Sequence, residues 1–372
     1  NTSGIRVKEL ADILGPVLST LYQASIDTGI LPEAWKSATV TPIFKKGDKS
    51  LPSNYRPISL TIICCKILEH IIHSTVMGHL DVNDILTDVQ HGFRKARSCE
   101  SQLILTVDDL ARNIDAGVQT DVILLDFAKA FDKVPHPHLL RKLEYYGLSG
   151  SLLKWIRNFL HGRTQRVVID GESSNIAPVT SGVPQGSVLG PLLFLVYIND
   201  LPDCISNGTK VKLFADDTMV YRAINSRADA VQLQHDLDAL QEWERKWLMT
   251  FHPGKCQVLH ITKRKKQEHH TYAIHGTDLK SAESAKYLGV EISSDLSFDK
   301  HIDNITKKGL KTLGFLRRNL PGRSCSRETK TTCYNALVRP VMEYASCIWD
   351  PHTNKATSKA EAVQRSAARG TS

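Results

Sequence analysis

The most informative stretch of this sequence is Leu213-Phe-Ala-Asp-Asp-Thr-Met-Val-Tyr221, in which two adjacent acids stand between two apolar runs. These runs predict a strand–turn–strand segment over Lys210–Tyr221, with Asp216–Asp217 at its centre. Further upstream, Asp121–Phe127 is predicted to be a buried strand that brings Asp126 to its end. Carboxylates beside apolar runs repel one another and lose hydration, so the arrangement persists most easily where a cation offsets the charge.

These three carboxylates predict a divalent-metal site. Hard divalent ions prefer oxygen ligands, and Mg²⁺ commonly binds one or two carboxylates together with substrate phosphate. One Asp from a strand end and two from a hairpin turn would suit two ions about 4 Å apart. For each motif taken alone a second interpretation stays open: Asp216–Asp217 as an ordinary turn dipeptide, and Asp126 as a helix N-cap.

The surrounding pattern alternates helices with short paired strands. It predicts a helix within residues 1–30, a hairpin with a basic tip over residues 37–62, and a mainly helical region from Ile302 onward. Cys256–Ile261 and Tyr287–Ile292 are predicted to be strands. Hairpins among the strands favour a mixed α+β architecture over a parallel doubly wound sheet.

Composition and charge narrow the class of protein. The 372 residues are 41% hydrophobic and 23% charged, which is typical of a soluble globular protein. No apolar run approaches the ~18 residues of a membrane helix. Residues 301–372 hold 13 Lys and Arg against five acids and therefore carry the whole net charge of +8. A basic tail on a neutral body indicates either a polyanionic partner or a solvated helical surface.

The cysteines indicate a reducing environment. The eight cysteines include no C-x-x-C pair, which argues against a zinc knuckle or a redox motif. Free buried thiols and the absence of a signal peptide predict an intracellular protein, in either nucleus or cytoplasm. Because the first residue is Asn1, we expect the chain to be a piece of a longer protein.

Two further motifs suit a substrate that carries phosphate. The stretch Ser181–Pro191 is rich in glycine, which permits close backbone approach, and the amide of Gln185 could hold a base or a phosphate. The alternative is an ordinary Gly/Pro loop before a helix. Basic residues that could hold phosphates form two groups, with a solvated surface as the alternative for each: Lys45, Lys46 and Arg56, then Arg94, Lys95 and Arg97.

Taken in order, these motifs resemble the reverse transcriptases of non-LTR (LINE-type) retrotransposons, in particular the jockey-like branch. The resemblance runs from about Leu31 to Ile292 and more weakly to the end of the chain. It rests on an ordered series of motifs: Trp35 to Asp48, Asn54-Tyr-Arg-Pro-Ile-Ser-Leu60, Gln90 to Ser98, Leu125-Asp-Phe-Ala-Lys-Ala-Phe-Asp132, Ser181 to Pro191, and Phe214-Ala-Asp-Asp217.

The resemblance implies a right-hand polymerase fold. Its fingers and palm would occupy residues 31–293, after an N-terminal helical extension over residues 1–30. A helical, basic thumb would occupy residues 294–372 and lie on the template–primer duplex.

The resemblance also implies a role for each motif residue. The catalytic and metal-binding set would be Asp126, Asp216 and Asp217, with the backbone carbonyl of Phe127 as a further metal ligand. The nucleotide-binding set would be Lys46, Arg56, Phe131, Gln185 and Gly186, with Lys45 open as an alternative to Lys46 and with Phe131 excluding a 2′-hydroxyl. The template- and primer-binding set would be Arg94 and Arg97, together with Tyr287, Leu288 and Gly289, which the resemblance identifies as a primer-grip hairpin.

One motif departs from the family pattern. The family usually has Asn three residues before a Lys that would protonate the pyrophosphate leaving group, whereas here His252 precedes Lys255.

The implied reaction is RNA-directed DNA synthesis with two Mg²⁺ ions, for which Mn²⁺ can substitute. Its partners would be an RNA template, a DNA primer or target and dNTPs, with no membrane, and an endonuclease domain is expected upstream in the full element. Two alternatives stay open: a related right-hand enzyme of the maturase or telomerase type, and a truncated, inactive remnant that only binds nucleic acid.

Overall fold

The computed structural model describes residues 10–264, 267–320 and 325–371. Residues 1–9 of the predicted N-terminal extension lie outside the described residues. The helices are α1 (Ala11–Thr28), α2 (Ile63–Val82), α3 (Cys99–Asp115), α4 (Ala130–Lys133), α5 (His136–Tyr145), α6 (Gly150–Leu160), α7 (Leu189–Ile198), α8 (Arg227–Trp247), α9 (Asp299–Asn319), α10 (Arg327–Leu337), α11 (Arg339–Glu343), α12 (Ser346–Trp349) and α13 (Asn354–Thr371). The strands are β1 (Ser37–Phe44), β2 (Tyr55–Leu60), β3 (Gln119–Leu125), β4 (Thr164–Ile169), β5 (Glu172–Ser173), β6 (Ala177–Pro178), β7 (Thr209–Phe214), β8 (Asp217–Ile224), β9 (Gln257–Ile261), β10 (Ala273–Ile274), β11 (Thr277–Asp278), β12 (Lys280–Ser281), β13 (Ser284–Tyr287) and β14 (Val290–Ser293).

The chain folds into two compact units, and each is built from several separate segments. The first unit comprises residues 1–93, 127–204 and 240–251. The second comprises residues 94–126, 205–239 and 252–372.

The first unit has a small sheet and a central apolar helix. Its strands run in the order β2-β1-β4-β5, with β6 paired to β4. The β1–β2 pairing is antiparallel and confirms the hairpin predicted for residues 37–62, whereas β1 and β4 are parallel. Helix α7 is apolar on all sides, and nine of its ten residues are buried, as expected of a helix at the centre of a unit.

The second unit is organised around a sheet in the order β12-β9-β3-β8-β7. Strand β3 lies at its centre and pairs antiparallel with both β8 and β9. Six of the seven β3 residues are buried, because strands cover both of its edges and side chains pack on both of its faces. The β13–β14 hairpin adds residues to the same hydrophobic core.

The predicted α+β class is confirmed, and one predicted strand is wrong. Tyr287–Ile292 does not form a single strand, because the chain turns at Leu288–Gly289 and the two residues flanking this turn pair with each other. Both turn residues have positive φ, +44° and +91°, which is the type I′ pattern of a two-residue hairpin loop. Leucine rarely adopts this conformation, so the apolar pattern did not indicate the turn, whereas the resemblance implied a hairpin at Tyr287–Gly289.

Two further findings concern the described residues alone. The eight cysteines are free thiols, as predicted, but only Cys65 and Cys256 are buried, so the predicted burial is wrong for the other six. No helix in the described ranges has both the length and the apolar character that crossing a membrane requires.

Candidate active site

The pairing of β3 with β8 brings two of the predicted acids side by side. Leu125 pairs with Thr218 across the two antiparallel strands. The next residue along each strand is therefore Asp126 on one side and Asp217 on the other. The sheet thus joins residues that lie 91 positions apart in the sequence, at the point where its central strand ends.

The third acid belongs to a tight hairpin loop. Phe214 pairs with Asp217, so Ala215 and Asp216 alone connect β7 to β8. Ala215 is buried and has a φ of +52°, a conformation that costs an L-residue roughly 1 to 2 kcal/mol. Asp216 is half-buried and Asp217 is exposed. The loop therefore presents both carboxylates at the edge of the sheet on a short and conformationally restricted backbone.

Lys255 pairs with the first acid. Its Nζ lies 3.2 Å from Oδ1 of Asp126, and the two side chains are 57% and 47% exposed. An exposed ion pair contributes only about 0 to 1 kcal/mol, so it leaves the Asp126 carboxylate available to other cations. The backbone supports this arrangement, because the His252 N–H donates to the Asp126 carbonyl at 2.8 Å and the Lys255 N–H donates to the His252 carbonyl at 2.8 Å.

The donor chemistry of this edge suits a hard divalent ion. Carboxylate oxygens are the ligands that Mg²⁺ and Mn²⁺ prefer, and the Asp126 side chain is accessible to solvent. Across the described residues, no group of three or more His, Cys, Asp and Glu side chains is gathered closely enough to hold a metal ion. The predicted metal-binding role of Asp126, Phe127, Asp216 and Asp217 therefore stays a prediction.

The first unit brings together part of the predicted nucleotide set. We call residues 181–190 the glycine loop. Its Gln185 donates through Nε2 to the Asp132 carboxylate at 2.9 Å, and the Gln185 carbonyl accepts the Ser59 N–H at 2.8 Å. Gly186 has a φ of +100°, and a Cβ there would lie 2.8 Å from the Ser59 carbonyl oxygen. The glycine loop is thus packed against both α4 and β2.

Phe131 contacts this loop, and the two predicted basic residues belong to the same unit. The Phe131 carbonyl accepts the Val183 N–H at 2.7 Å, and its ring stacks on Phe194 with centroids 4.4 Å apart. Arg56 lies on β2, exposed, three residues before Ser59. Lys46 is exposed in the connection between β1 and β2. The structure therefore places the five predicted nucleotide-binding residues in one unit.

The predicted primer-binding residues lie in the β13–β14 hairpin. The Tyr287 side chain is buried, and its hydroxyl accepts from Gln102 Nε2 at 3.3 Å, while burial raises its pKa. Of the other two predicted residues, Leu288 is half-buried and Gly289 is exposed. Tyr344 holds this turn, because its hydroxyl donates to the Leu288 carbonyl at 2.8 Å. Tyr287 can therefore act on a duplex only through the position of the turn.

The two remaining predicted residues precede helix α3. Arg94 and Arg97 are half-buried, and the Arg94 carbonyl accepts the Arg97 N–H at 3.4 Å. Helix α3 begins immediately after them at a capping box formed by Ser98 and Ser101. Both arginines are therefore fixed to the start of a stable helix.

Two buried polar residues that support these sites escaped the sequence reasoning. Glu69 is fully buried on α2 and accepts the N–H groups of Val188 and Leu189 at 2.7 and 3.1 Å. Gln102 is fully buried on α3 and joins Tyr287 to the Leu213 carbonyl. Each is a polar residue on the apolar face of a predicted helix, and that mismatch is the signal that could have found them.

Comparison with known proteins decides the family. A family model described as reverse transcriptase (RNA-dependent DNA polymerase) matches residues 43–292. The chain belongs to the reverse transcriptase family. Every residue that we predicted for the site lies within the matched segment of this reverse transcriptase, and the predicted right-hand polymerase fold is confirmed by that membership.

Curated relatives confirm the predicted branch of reverse transcriptases. The chain is 30% identical over 366 residues to the RNA-directed DNA polymerase from mobile element jockey of Drosophila melanogaster, covering 94% of this chain and 39% of that protein. It is 28% identical over 364 residues to the probable RNA-directed DNA polymerase from transposon X-element of the same organism, covering 95% of this chain and 39% of that protein. A solved telomerase structure from Candida albicans covers 93% of this chain and 59% of the telomerase chain, with 13% identity and a TM-score of 0.49. The chain therefore spans about two-fifths of the length of the curated relatives it matches.

Proposed function

We propose that this chain is an RNA-directed DNA polymerase that extends a primer 3′-hydroxyl with dNTPs, inside the cell, as part of a non-LTR retrotransposon. The observation that carries the proposal is the register of β3 and β8, which places Asp126 beside Asp217 at the end of the central strand. The hairpin loop adds Asp216 at the same edge. Family membership supplies the reaction class to which this arrangement belongs.

Asp126, Asp216, Asp217 and the Phe127 carbonyl would hold two Mg²⁺ ions, or Mn²⁺ in their place. Bound there, the metal would lower the pKa of the primer hydroxyl and stabilise the charge on the leaving pyrophosphate. Lys255 is 3.2 Å from Asp126, within reach of the same region, and would donate a proton to that pyrophosphate.

The remaining predicted residues would bind the substrates. Lys46 and Arg56 would hold the triphosphate, while Phe131 and the glycine loop would line the sugar and the new base pair. Arg94, Arg97 and the 288–289 turn would contact the RNA template and the DNA primer. The basic helices within residues 294–372 would form a thumb over that duplex, and residues 31–293 would form the fingers and palm.

Primer extension tests the proposal directly. The purified chain is incubated with poly(rA)/oligo(dT), dTTP and MgCl₂, with MnCl₂ and EDTA as further arms. We expect extension with either metal and none with EDTA. Asp126→Asn and Asp216→Asn should each reduce the rate by at least about 100-fold, because each removes a carboxylate that would hold the metal.

A matched control separates the effect of losing any one carboxylate from the effect of losing a carboxylate of the candidate site. Asp170→Asn also removes one Asp, from the exposed β4–β5 turn where Asp170 has a φ of +50° that Asn tolerates, and it should leave extension unchanged. Wild-type extension by Asp126→Asn would refute the proposal. Tight binding of the duplex by a wild-type chain that does not extend it would instead identify the inactive remnant.

The resemblance to non-LTR retrotransposons also implies a further activity in the full element. An endonuclease region upstream of this chain would nick the target DNA and provide the primer hydroxyl. Supplying a pre-nicked target duplex in trans should therefore allow this chain to begin synthesis at the nick.

A further inference from the structure

The glycine loop is fixed at its first half by α4. The Gly182 and Val183 N–H groups donate to the Val134 and Phe131 carbonyls at 2.8 and 2.7 Å. A Cβ at Gly182 would lie 2.6 Å from the Asp132 carbonyl oxygen, so this contact leaves no room for movement. The first half of the loop therefore needs no further support.

In the second half of the loop, the Ser187 hydroxyl accepts the Gly190 N–H at 2.9 Å, which leaves the Val188 and Leu189 N–H groups in need of another acceptor. This half leads into α7, whose N-cap residue is Val188, and valine has no side-chain oxygen to accept the first helical N–H groups. Glu69 supplies this acceptor from α2: its Oε2 accepts both the Val188 and the Leu189 N–H. Glu69 is thus a capping residue provided by another helix.

Burying the carboxylate of Glu69 costs free energy, so the contacts that it makes must offset that cost. Glu69 lies on the buried face of α2 among apolar side chains such as Leu68 and Ile72, and burial raises its pKa. The Cys65 thiol also contacts its second oxygen at 3.5 Å. An apolar residue at 69 would pack on this face at no such cost, so the two N–H bonds are what the carboxylate provides.

The capped residues Val188 and Leu189 are linked to Gln185 and Gly186 through contacts with the Pro184 carbonyl. The Ser187 N–H donates to the Pro184 carbonyl at 3.2 Å. A Cβ at Gly190 would lie 2.7 Å from that same carbonyl oxygen. These contacts are closely packed. A shift of Val188 and Leu189 would therefore also displace residues 184–186.

We infer that Glu69 is a positioning residue that sets the geometry of the glycine loop and hence the affinity and base-pair selectivity of the polymerase for the incoming nucleotide. The inference rests on the proposed function. It concerns a residue on a separate helix that acts through the backbone and contacts no substrate.

Steady-state primer extension with variants at residue 69 tests it. Glu69→Ala leaves two buried N–H groups without their acceptor, and we expect the KM for the correct dNTP to rise about 10-fold with a smaller change in kcat. Misincorporation relative to correct incorporation should rise with it. Glu69→Gln keeps an oxygen at the same position and should restore KM to within about 3-fold of wild type.

Asn199→Ala is the matched control for destabilisation. Asn199 follows the other end of α7, where its side chain holds the Thr87 N–H at 2.8 Å and the Ile85 carbonyl at 2.7 Å. Its loss should lower the melting temperature as Glu69→Ala does, yet leave the KM and the misincorporation ratio within about 2-fold of wild type. Equal KM changes in the two variants would overturn the inference.

Hydrogen exchange gives a readout that does not need catalysis. Glu69→Ala should speed amide exchange across residues 186–190 by at least about 10-fold, whereas Asn199→Ala should not. If Glu69→Ala does not fold, Glu69→Asp, which keeps the charge but shortens the reach, should show the same local increase. Normal exchange in the loop overturns the inference, whereas an inactive wild-type chain with faster loop exchange in the variant overturns only the proposed polymerase activity.

Discussion

Replacing Gly186 by alanine should damage both the stability and the nucleotide affinity of the protein. At a φ of +100° any L-residue is strained, which costs about 1 to 3 kcal/mol. The new Cβ would also lie 2.8 Å from the Ser59 carbonyl oxygen, a backbone atom that cannot turn away. Overpacking of this kind adds about 1 to 3 kcal/mol, so the free energy of unfolding should fall by about 2 to 6 kcal/mol.

Gly171→Ala separates these two contributions. Gly171 has a φ of +91°, and its Cβ would meet no atom within 4 Å. This variant should lose only the conformational part, about 1 to 3 kcal/mol. The difference between the two variants therefore measures the contact of Gly186 with β2.

Urea unfolding and primer extension measure the two effects. The relief of the clash should lengthen the 2.8 Å bond from the Ser59 N–H to the Gln185 carbonyl, because both contacts join Ser59 to adjacent residues of the glycine loop. We therefore expect Gly186→Ala to raise the KM for dNTP by about 10-fold or more, and Gly171→Ala to leave it unchanged. Equal losses of unfolding free energy in the two variants would show that the loop is free to move off β2 and would refute the reasoning.

Variants at three further positions test other parts of the structure. Phe131→Ala should raise the kcat/KM for rNTP relative to dNTP by about 100-fold, since it removes the bulk that would meet a 2′-hydroxyl, and an unchanged ratio in single-nucleotide incorporation would contradict that role. Burial lowers the pKa of Lys142 to about 8, below the 10.5 of a lysine in the unfolded chain. Between these two pH values the unfolded chain holds the proton and the folded chain does not. The free energy of unfolding should therefore rise by up to about 3 kcal/mol as the pH goes from 8 to 10.5. Lys142→Met should remove this rise in the free energy of unfolding, as measured by urea unfolding at several pH values. The same pH dependence in the wild type and the variant would show that Lys142 is not its source. His252→Asn should keep kcat within about 3-fold of wild type, whereas His252→Pro, which removes the backbone N–H donor, should lower it by at least about 10-fold in primer extension.

The sequence predicted best where local pattern and chemistry coincide. The apolar runs around Asp216–Asp217 are short and bounded, so both the β7–β8 hairpin and its acidic loop were predictable. The 37–62 hairpin was predictable for the same reason. The local pattern missed the turn at Leu288–Gly289, because its first residue is a leucine at a φ of +44° that tertiary contacts, including the hydrogen bond from Tyr344, hold in place. Only the family resemblance implied a hairpin there.

Long-range polar contacts were the other gap. Glu69 contacts residues that lie 119 and 120 positions away, and no periodic pattern encodes such a partner. The Asp126–Lys255 pair spans 129 positions, and the family resemblance supplied its two members without predicting that they pair. Sequence reasoning therefore identified the residues of the candidate site better than the supports that hold them.

The substitution of His252 for the family's usual asparagine illustrates what the structure adds. At this position the contacts to the site come from the backbone: the N–H donates to the Asp126 carbonyl, and the carbonyl accepts from Lys255 and Cys256 at 2.8 and 3.2 Å. The side chain is exposed. Because these bonds do not use the side chain, a histidine can occupy the position while Lys255 stays beside Asp126. The departure from the family motif therefore does not argue against polymerase activity, and the geometry of this turn depends on the backbone donor at 252.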